Sequence, residues 1–364
     1  MDESSFPSPV YRLIRQINAY GGLHGRGYLH ALSWFSRLLA TAPLRWIEYF
    51  STRKKLKDIV IDKPPIFILG YYRSGTTYLQ RMFMEDSRLG YMSLFQTVFP
   101  DLILCFEKRM TPLLESLSKL LRAENPFHNI PLSWYSAGEE DVGMTNLISS
   151  YSIQWGYLFP QKMNAHLNKY VLLDGLSEPE KQAWLKTYLY LIRKISCANH
   201  QKQLVLKNPP NMARIRYILS MFPDAKFVYI QRDPFDTYAS NKRMVQMIFK
   251  KYALGKSVDV DPAPLILDSY VLMLEHYHRD KLLIPPANLC EISYEKFVAH
   301  PVECMETIYE QLRLGDFSLC RQAMCMLAKR EKDHPVTEHT LEPHERAIIE
   351  ERINQMSSVH PNVK

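Results

Sequence analysis

The sequence has few of the features that mark secreted, metal-binding or membrane-spanning proteins. Its six cysteines are scattered along 364 residues, and no two form a C-x-x-C pair. This distribution argues against a disulfide framework or a zinc site and favours reduced thiols. No apolar stretch reaches the roughly 18 residues that span a bilayer, and the first residues contain no apolar signal core. We therefore expect a soluble, cytoplasmic protein without a membrane anchor or a metal ion.

The charge pattern limits the partners. The formal net charge of +7 suits anionic ligands. No run of lysine and arginine is long enough to form a distinct nucleic-acid-binding patch, and the densest one is Arg53-Lys54-Lys55. With 46% hydrophobic residues the chain can bury a sizeable core. We expect an elaborated α/β protein with an anionic small-molecule ligand and no nucleic-acid partner.

The most informative stretch is Pro64–Leu79, PPIFILGYYRSGTTYL. Its short apolar run, Ile66–Leu69, is typical of a buried parallel strand. Gly70 and Gly75 then bound a loop that precedes a helical pattern. A strand, a glycine-bounded loop and a helix together form a cradle for phosphate-like anions, because backbone N–H groups converge at the positive end of the helix.

The spacing of this loop separates it from that of nucleoside triphosphatases. Gly70 and Gly75 match the glycines of G-x-x-x-x-G-K-[ST], but Thr76 stands where that motif has its lysine. The cation here is Arg73, inside the loop. An ATP-dependent phosphotransferase is therefore disfavoured, and magnesium dependence would discriminate it.

The RSGTT sequence after an apolar strand resembles the 5′-phosphosulfate loop of sulfotransferases that use 3′-phosphoadenosine 5′-phosphosulfate (PAPS). It is more similar to the bacterial-type and tyrosylprotein branches than to the cytosolic KSGTT form. The resemblance implies that five consecutive residues bind the phosphosulfate: Arg73, Ser74, Gly75, Thr76 and Thr77.

Two further apolar runs, Leu204–Leu206 and Lys226–Ile230, are interpreted as parallel strands. Lys207 follows the first and Arg232 follows the second soon after its end. Because ligands collect at the carboxyl ends of the strands in open parallel sheets, we expect Arg73, Lys207 and Arg232 to face one crevice. Three cations there form a site for more than one anionic group.

The segment FPDAKFVYIQRDPFDTYAS resembles the 3′-phosphate-binding strand and helix of the same family. The resemblance implies that Arg232 and Ser240 bind the 3′-phosphate and that Tyr294 lies against the adenine. Lys207 falls where the cytosolic branch has the lysine of K-T-H-L-P and is expected to act in catalysis with Arg73. A basic segment, residues 329–332 with the loop after it, is expected to close over the 3′-phosphate.

The catalytic histidine of the cytosolic branch falls on Pro209, so the acceptor's proton must go elsewhere. The acids Glu139-Glu140-Asp141 precede a helix-like stretch and resemble the bacterial-type segment S-P-Q-E-D-E-F, although Ala137 and Gly138 depart from its Pro-Gln. Glu139 is the predicted general base, with Asp141 as the alternative. A simple capping role in the first helical turn is the other interpretation.

The resemblance implies an α/β fold, a P-loop-kinase-like parallel sheet flanked by helices. We expect this domain over residues 61–364, after a helical N-terminal layer over residues 1–60. The implied reaction transfers a sulfuryl group from PAPS, without a metal, to a hydroxyl or amine of a small-molecule, lipid or carbohydrate acceptor. Two alternatives remain open: a non-catalytic nucleotide-binding relative, and a membrane-surface protein that uses its aromatic N-terminal helices.

Overall fold

A five-stranded sheet lies at the centre of the α/β part of the fold. The computed structural model describes residues 9–124, 131–256, 260–331 and 341–359, with side chains of the last range described to 353. The strands follow the spatial order β2-β3-β1-β4-β5. Their bounds are β1 Ile66–Leu69, β2 Leu89–Tyr91, β3 Gln203–Lys207, β4 Lys226–Gln231 and β5 Leu289–Ser293.

The register brings the carboxyl ends of the strands to one edge. Strand β1 runs parallel to both β3 and β4, and β4 runs parallel to β5. Ile68 pairs with Lys207 and Leu69 pairs with Tyr229, so the strands that precede the predicted cations end nearly level. The prediction of a parallel α/β sheet flanked by helices is confirmed.

Helices make up most of the remaining described chain. The α-helices before β3 are α1 Pro9–Ala19, α2 Gly27–Ala40, α3 Ala42–Asp58, α4 Thr76–Met84, α5 Leu94–Val98, α6 Ile103–Leu120, α7 Glu140–Asn146, α8 Gln154–Leu158, α9 Met163–His166 and α10 Glu178–Ala198. Those after β3 are α11 Ile215–Met221, α12 Pro234–Tyr252, α13 Ala263–Asp280, α14 Tyr294–Ala299, α15 Pro301–Gln311, α16 Ser318–Glu331 and α17 Pro343–Val359.

The chain divides into two compact units. The first comprises residues 1–63, 91–202 and 247–260, and the second comprises 64–90, 203–246 and 261–364. The first unit therefore contains α1–α3 together with later helices, so it continues past the domain boundary expected at residue 60. That boundary stays a prediction.

The core of the second unit forms on the sheet. All four residues of β1 are fully buried, as expected for a parallel strand that is covered on both faces. On one face Ile66 and Ile68 pack with Val228 and Ile230 of β4 and with side chains of α4, α15 and α16. This packing fixes the strand ends from which the anion loop and its partners extend.

The first unit has a separate, helical core. Leu13 of α1 and Leu38 of α2 pack against Trp155 and Phe159 around α8 and against Leu254. The N-terminal helices are thus part of this unit's interior rather than a loose extension. Within the described ranges, no helix is long and apolar enough to cross a membrane.

A buried ion pair ties α3 to α10. Lys194 Nζ lies 2.6 Å from Glu48 Oε1, and both side chains are 1% exposed. The Glu48 carboxylate also accepts the backbone N–H groups of Leu104 and Cys105 in the first turn of α6. These N–H groups have no partner within their own helix, so one carboxylate joins three helices.

Because Lys194 is the cation of this pair, we expect Lys194→Met to leave a buried, partly compensated carboxylate. The free energy of unfolding should fall by about 3–5 kcal/mol, measured by urea denaturation. Lys186→Met, at an exposed position of the same helix, is the control and should change it by less than about 0.5 kcal/mol. Equal effects of the two substitutions would contradict this role of the pair.

Candidate active site

The loop between β1 and α4 has an unusual backbone. Arg73 adopts φ 68° and Gly75 adopts φ 93°, both in the left-handed region. A non-glycine residue rarely takes this conformation, and it costs about 1–3 kcal/mol. Ser74 contributes its N–H and its hydroxyl, which both donate to the carbonyl oxygen of Tyr71. The loop is therefore a tight turn, in which the chain leaves the direction of β1 at Arg73.

Both predicted glycines are required by close contacts. A Cβ on Gly75 would lie 2.4 Å from Cδ2 of Tyr294, and one on Gly70 would lie 2.6 Å from Oγ of Ser74. Thr76, in the first turn of α4, is buried, whereas Thr77 is exposed. The loop thus packs against Tyr294 on one side and leaves the start of α4 accessible.

Four of the predicted cofactor-binding residues converge on this loop. Arg73 Nε donates to Ser240 Oγ at 2.9 Å. Arg232 Nη1 donates to the carbonyl oxygen of Arg73 at 3.2 Å, and its guanidinium lies 4.5 Å from the centroid of the Tyr294 ring. Arg73, Arg232, Ser240 and Tyr294 come from four separate segments but form one cluster.

This cluster concentrates positive charge. Burial, and after it the charge of Arg232, lowers the pKa of Arg73 below its usual value, while Tyr294 acts in the opposite direction. Arg232 Nη2 donates to Asp236 at 3.1 Å, but the buried Nε has no hydrogen-bond partner among the described residues. An anion placed here would relieve the repulsion between the guanidinium groups and would accept a hydrogen bond from Nε of Arg232.

Strand β3 supplies the third predicted cation. Lys207 is its last residue, is buried, and pairs in register with Ile68. Next to it Asn208 is fully buried, and its Oδ1 has no hydrogen-bond partner in the described ranges. Sequence reasoning did not select Asn208; the only available signal was its place directly after the strand.

The structure also reveals an anchor for the loop that sequence reasoning missed. Tyr71 Oη lies 2.6 Å from Ser269 Oγ and donates to the carbonyl oxygen of Ile266. Asn241, which directly follows Ser240, donates to the same Tyr71 hydroxyl at 3.1 Å. These contacts tie the loop to α12 and α13, and no local sequence pattern indicated them.

Glu139 lies in the first compact unit, as the residue directly before α7. It is half-buried, whereas Glu140 and Asp141 are fully buried in the first turn of that helix. Of the three acids, Glu139 is thus the one with an accessible side chain. Its predicted role as base remains a prediction.

The predicted basic lid lies mostly outside the described residues. Lys332 and the loop to residue 340 belong to a stretch that is not described. Lys329 and Arg330 are exposed in the last turn of α16, and the neighbouring Glu331 pairs with Arg81 at 2.7 Å. Among the described residues no group of three His, Cys, Asp or Glu side chains could hold a metal ion.

Known proteins resemble this chain along most of its length. A relative named omega-hydroxy-beta-dihydromenaquinone-9 sulfotransferase Stf3, from Mycobacterium bovis, is 25% identical over 349 residues, which cover 95% of this chain and 87% of the relative. A protein of the same name from Mycobacterium tuberculosis matches equally.

Two crystal structures share the fold. Sulfotransferase STF1 from Mycobacterium tuberculosis superposes with a TM-score of 0.69 at 18% identity, covering 97% of this chain and 92% of that one. Sulfotransferase STF9 from Mycobacterium avium also gives 0.69, at 15% identity, with 97% and 90% covered. At these identities the likeness concerns the fold alone.

The family assignment rests on a direct sequence match. The sequence profile described as "Sulfotransferase family" matches residues 64–318. This range begins just before β1 and contains the loop, the strand ends and every residue of the arginine cluster. The chain therefore belongs to the sulfotransferase family, whose members transfer a sulfuryl group from a sulfonate donor to an acceptor.

Proposed function

We propose that this enzyme uses PAPS as its donor and transfers the sulfuryl group to a hydroxyl of an apolar, lipid-type acceptor. The observation that carries the donor assignment is the convergence of Arg73, Arg232, Ser240 and Tyr294. PAPS carries two separate anionic groups and a base. Two arginines, a hydroxyl and an aromatic ring provide complementary chemistry for these parts.

The cluster passes two tests of fit to such a donor. First, the buried Nε of Arg232 lacks a protein acceptor among the described residues, as expected of a group that is completed by a ligand. Second, Gly75 lets the backbone approach Tyr294 where any side chain would collide. Both features favour a nucleotide-sized anion over an incidental surface charge.

The roles follow from the resemblance to the family, and these contacts support them. Ser74 shapes the loop through its hydrogen bonds to Tyr71. The backbone N–H groups of Gly75, Thr76 and Thr77, at the start of α4, bind the 5′-phosphosulfate, and Arg73 neutralises charge there. Arg232 and Ser240 bind the 3′-phosphate, and Tyr294 lies against the adenine. Bound PAPS supplies a sulfuryl group whose transfer leaves adenosine 3′,5′-bisphosphate.

Two further residues act on the reaction itself. Lys207, at the end of β3, adds a second cation for the charge that develops on the leaving group. Preorganised charges of this kind lower a barrier by several kcal/mol, about 3–4 for one hydrogen-bond donor. Glu139 takes the proton from the acceptor hydroxyl; its partial exposure supports it over the fully buried Asp141.

The acceptor class rests on a relative rather than on the cluster. Stf3 is named for a hydroxylated dihydromenaquinone. By analogy we infer a hydroxyl group on a largely apolar molecule. An acceptor screen that compares long-chain alcohols with simple sugars tests this inference, and sulfation confined to sugars would overturn it.

The 3′-phosphate site is tested by calorimetric titration with adenosine 3′,5′-bisphosphate. We expect Arg232→Ala to weaken binding by about 100-fold or more, because hydrogen bonds to charged groups contribute about 1.5–3 kcal/mol each. Arg243→Ala, at an exposed position of α12, should leave binding unchanged. Binding that needs magnesium and prefers ATP would overturn the proposed donor.

The loop geometry is tested by Gly75→Ala. The new methyl group would collide with Tyr294 at a positive φ, so we expect a loss of bisphosphate binding in the same titration. Gly22→Ala is the matched control, because Gly22 has φ +82° but nothing within 4 Å of the added Cβ. It should lose about 1–2 kcal/mol of stability and keep its binding. Full binding by Gly75→Ala would contradict the proposed cradle.

The base is tested by Glu139→Gln. A general base contributes about 10²–10⁴-fold to the rate, so kcat should fall by this factor while bisphosphate binding stays unchanged. Glu178→Gln, at an exposed position in α10, serves as the control. If Glu139→Gln keeps its full kcat and Asp141→Asn does not, the role passes to Asp141.

A further inference from the structure

We propose that the outward side of helices α2 and α3 docks on an anionic membrane surface. This side, the α2–α3 face, is defined by six large apolar residues that are 48–68% exposed. They are Leu29, Leu32, Leu39, Trp46, Ile47 and Phe50. The proposal stands independently of the reaction, since every residue of the face lies in the first compact unit.

Both helices bury one side and still present apolar groups on the other. In α2 the buried residues include Ala31 and Leu38, whereas Leu29, Leu32 and Leu39 follow the spacing of a second stripe. A helix on the surface of a soluble protein normally carries polar residues on that outward side. The face thus has the composition of a contact surface.

Helix α3 separates apolar and basic residues along its length. Trp46 and Phe50 stack with ring centroids 5.5 Å apart in its first half. Arg53 then lies over the Phe50 ring at 4.9 Å, and the exposed Lys54, Lys55 and Lys57 follow. Tryptophan next to aliphatic residues and cations is typical of helices that lie in a membrane interface.

The distribution of charge selects the occupant. Helix α2 contains no Asp or Glu, and α3 contains the buried Glu48 and the terminal Asp58. The outward side therefore carries cations with almost no compensating carboxylates. A second copy of the same face would bring like charges together, whereas anionic lipid headgroups neutralise them.

A cavity in the first unit reaches this face. It has a volume of about 480 Å³, and its lining includes Leu39 and Trp46 together with Leu38, Tyr49 and Arg45. Leu39 and Trp46 thus belong both to the exposed face and to the cavity wall. A membrane seated on the face would place lipid chains next to this cavity, whose wall also contains the charged residues Arg12, Glu48, Asp101 and Lys194.

The test is cosedimentation of the full chain with vesicles of phosphatidylcholine and phosphatidylglycerol, compared with phosphatidylcholine alone. We expect binding to the anionic vesicles that weakens with salt. The triple variant Lys54→Gln/Lys55→Gln/Lys57→Gln should bind about 100-fold more weakly, since each cation at an anionic surface contributes roughly a factor of five. The variant Trp46→Ser/Phe50→Ser should lose about tenfold or more.

Matched controls separate this face from general surface effects. Leu282→Ser/Leu283→Ser removes two exposed leucines of the second unit. Lys108→Gln/Arg109→Gln/Lys186→Gln removes three exposed cations of the first unit. Neither control should change vesicle binding, and thermal unfolding confirms that all variants are folded.

Three results would overturn the proposal. They are absence of binding to anionic vesicles, equal loss in the control variants, and a dimer in sedimentation velocity that dissociates in the face variants. Bisphosphate titration on the same samples separates the two claims. Vesicle binding without bisphosphate binding would overturn the proposed donor alone, and the reverse would overturn the docking face alone.

Discussion

The candidate site in the second unit depends on holding two guanidinium groups, Arg73 and Arg232, next to each other. The two positive charges repel each other, and the burial of Arg73 adds the cost of removing its charge from water. Fixed contacts offset this cost: Arg232 donates hydrogen bonds to the backbone oxygen of Arg73 and to the Asp236 carboxylate, and its guanidinium lies over the Tyr294 ring. What remains is an excess of positive charge that an anion would complete.

Backbone strain and side-chain packing maintain this arrangement together. The left-handed conformation of Arg73 persists because Ser74 folds back onto Tyr71 and because Tyr71 is itself anchored to α12 and α13. The loop also begins directly after β1, a strand that is buried along its whole length and resists relaxation of the backbone. Because the charged groups of such a site are already in place, none of the binding energy of the ligand is lost in reorganising them.

The first unit buries charged side chains and exposes apolar ones. It buries an ion pair, Glu48 with Lys194, at the junction of three helices, and it exposes tryptophan, phenylalanine and leucine on the outside. Both choices cost stability in water. The buried pair links the three helices. The exposed apolar residues would be removed from water if lipid covers the α2–α3 face.

The sequence by itself determined the parallel sheet, the anion loop and the position of Arg73 and Arg232 after strand ends, because buried strands and glycine-bounded turns are encoded by neighbouring residues. The candidates Ser240 and Tyr294 rested on the resemblance of their segments to the family. The contacts among these four side chains arise from segments up to about 220 residues apart, so only the tertiary structure decided them. The same holds for the Tyr71 anchor, for the Asn208 oxygen that lacks a hydrogen-bond partner in the described part of the chain, and for the accessibility of Glu139 relative to Asp141. Local patterns specify which elements form, whereas burial and hydrogen bonding between distant residues appear only when those elements pack.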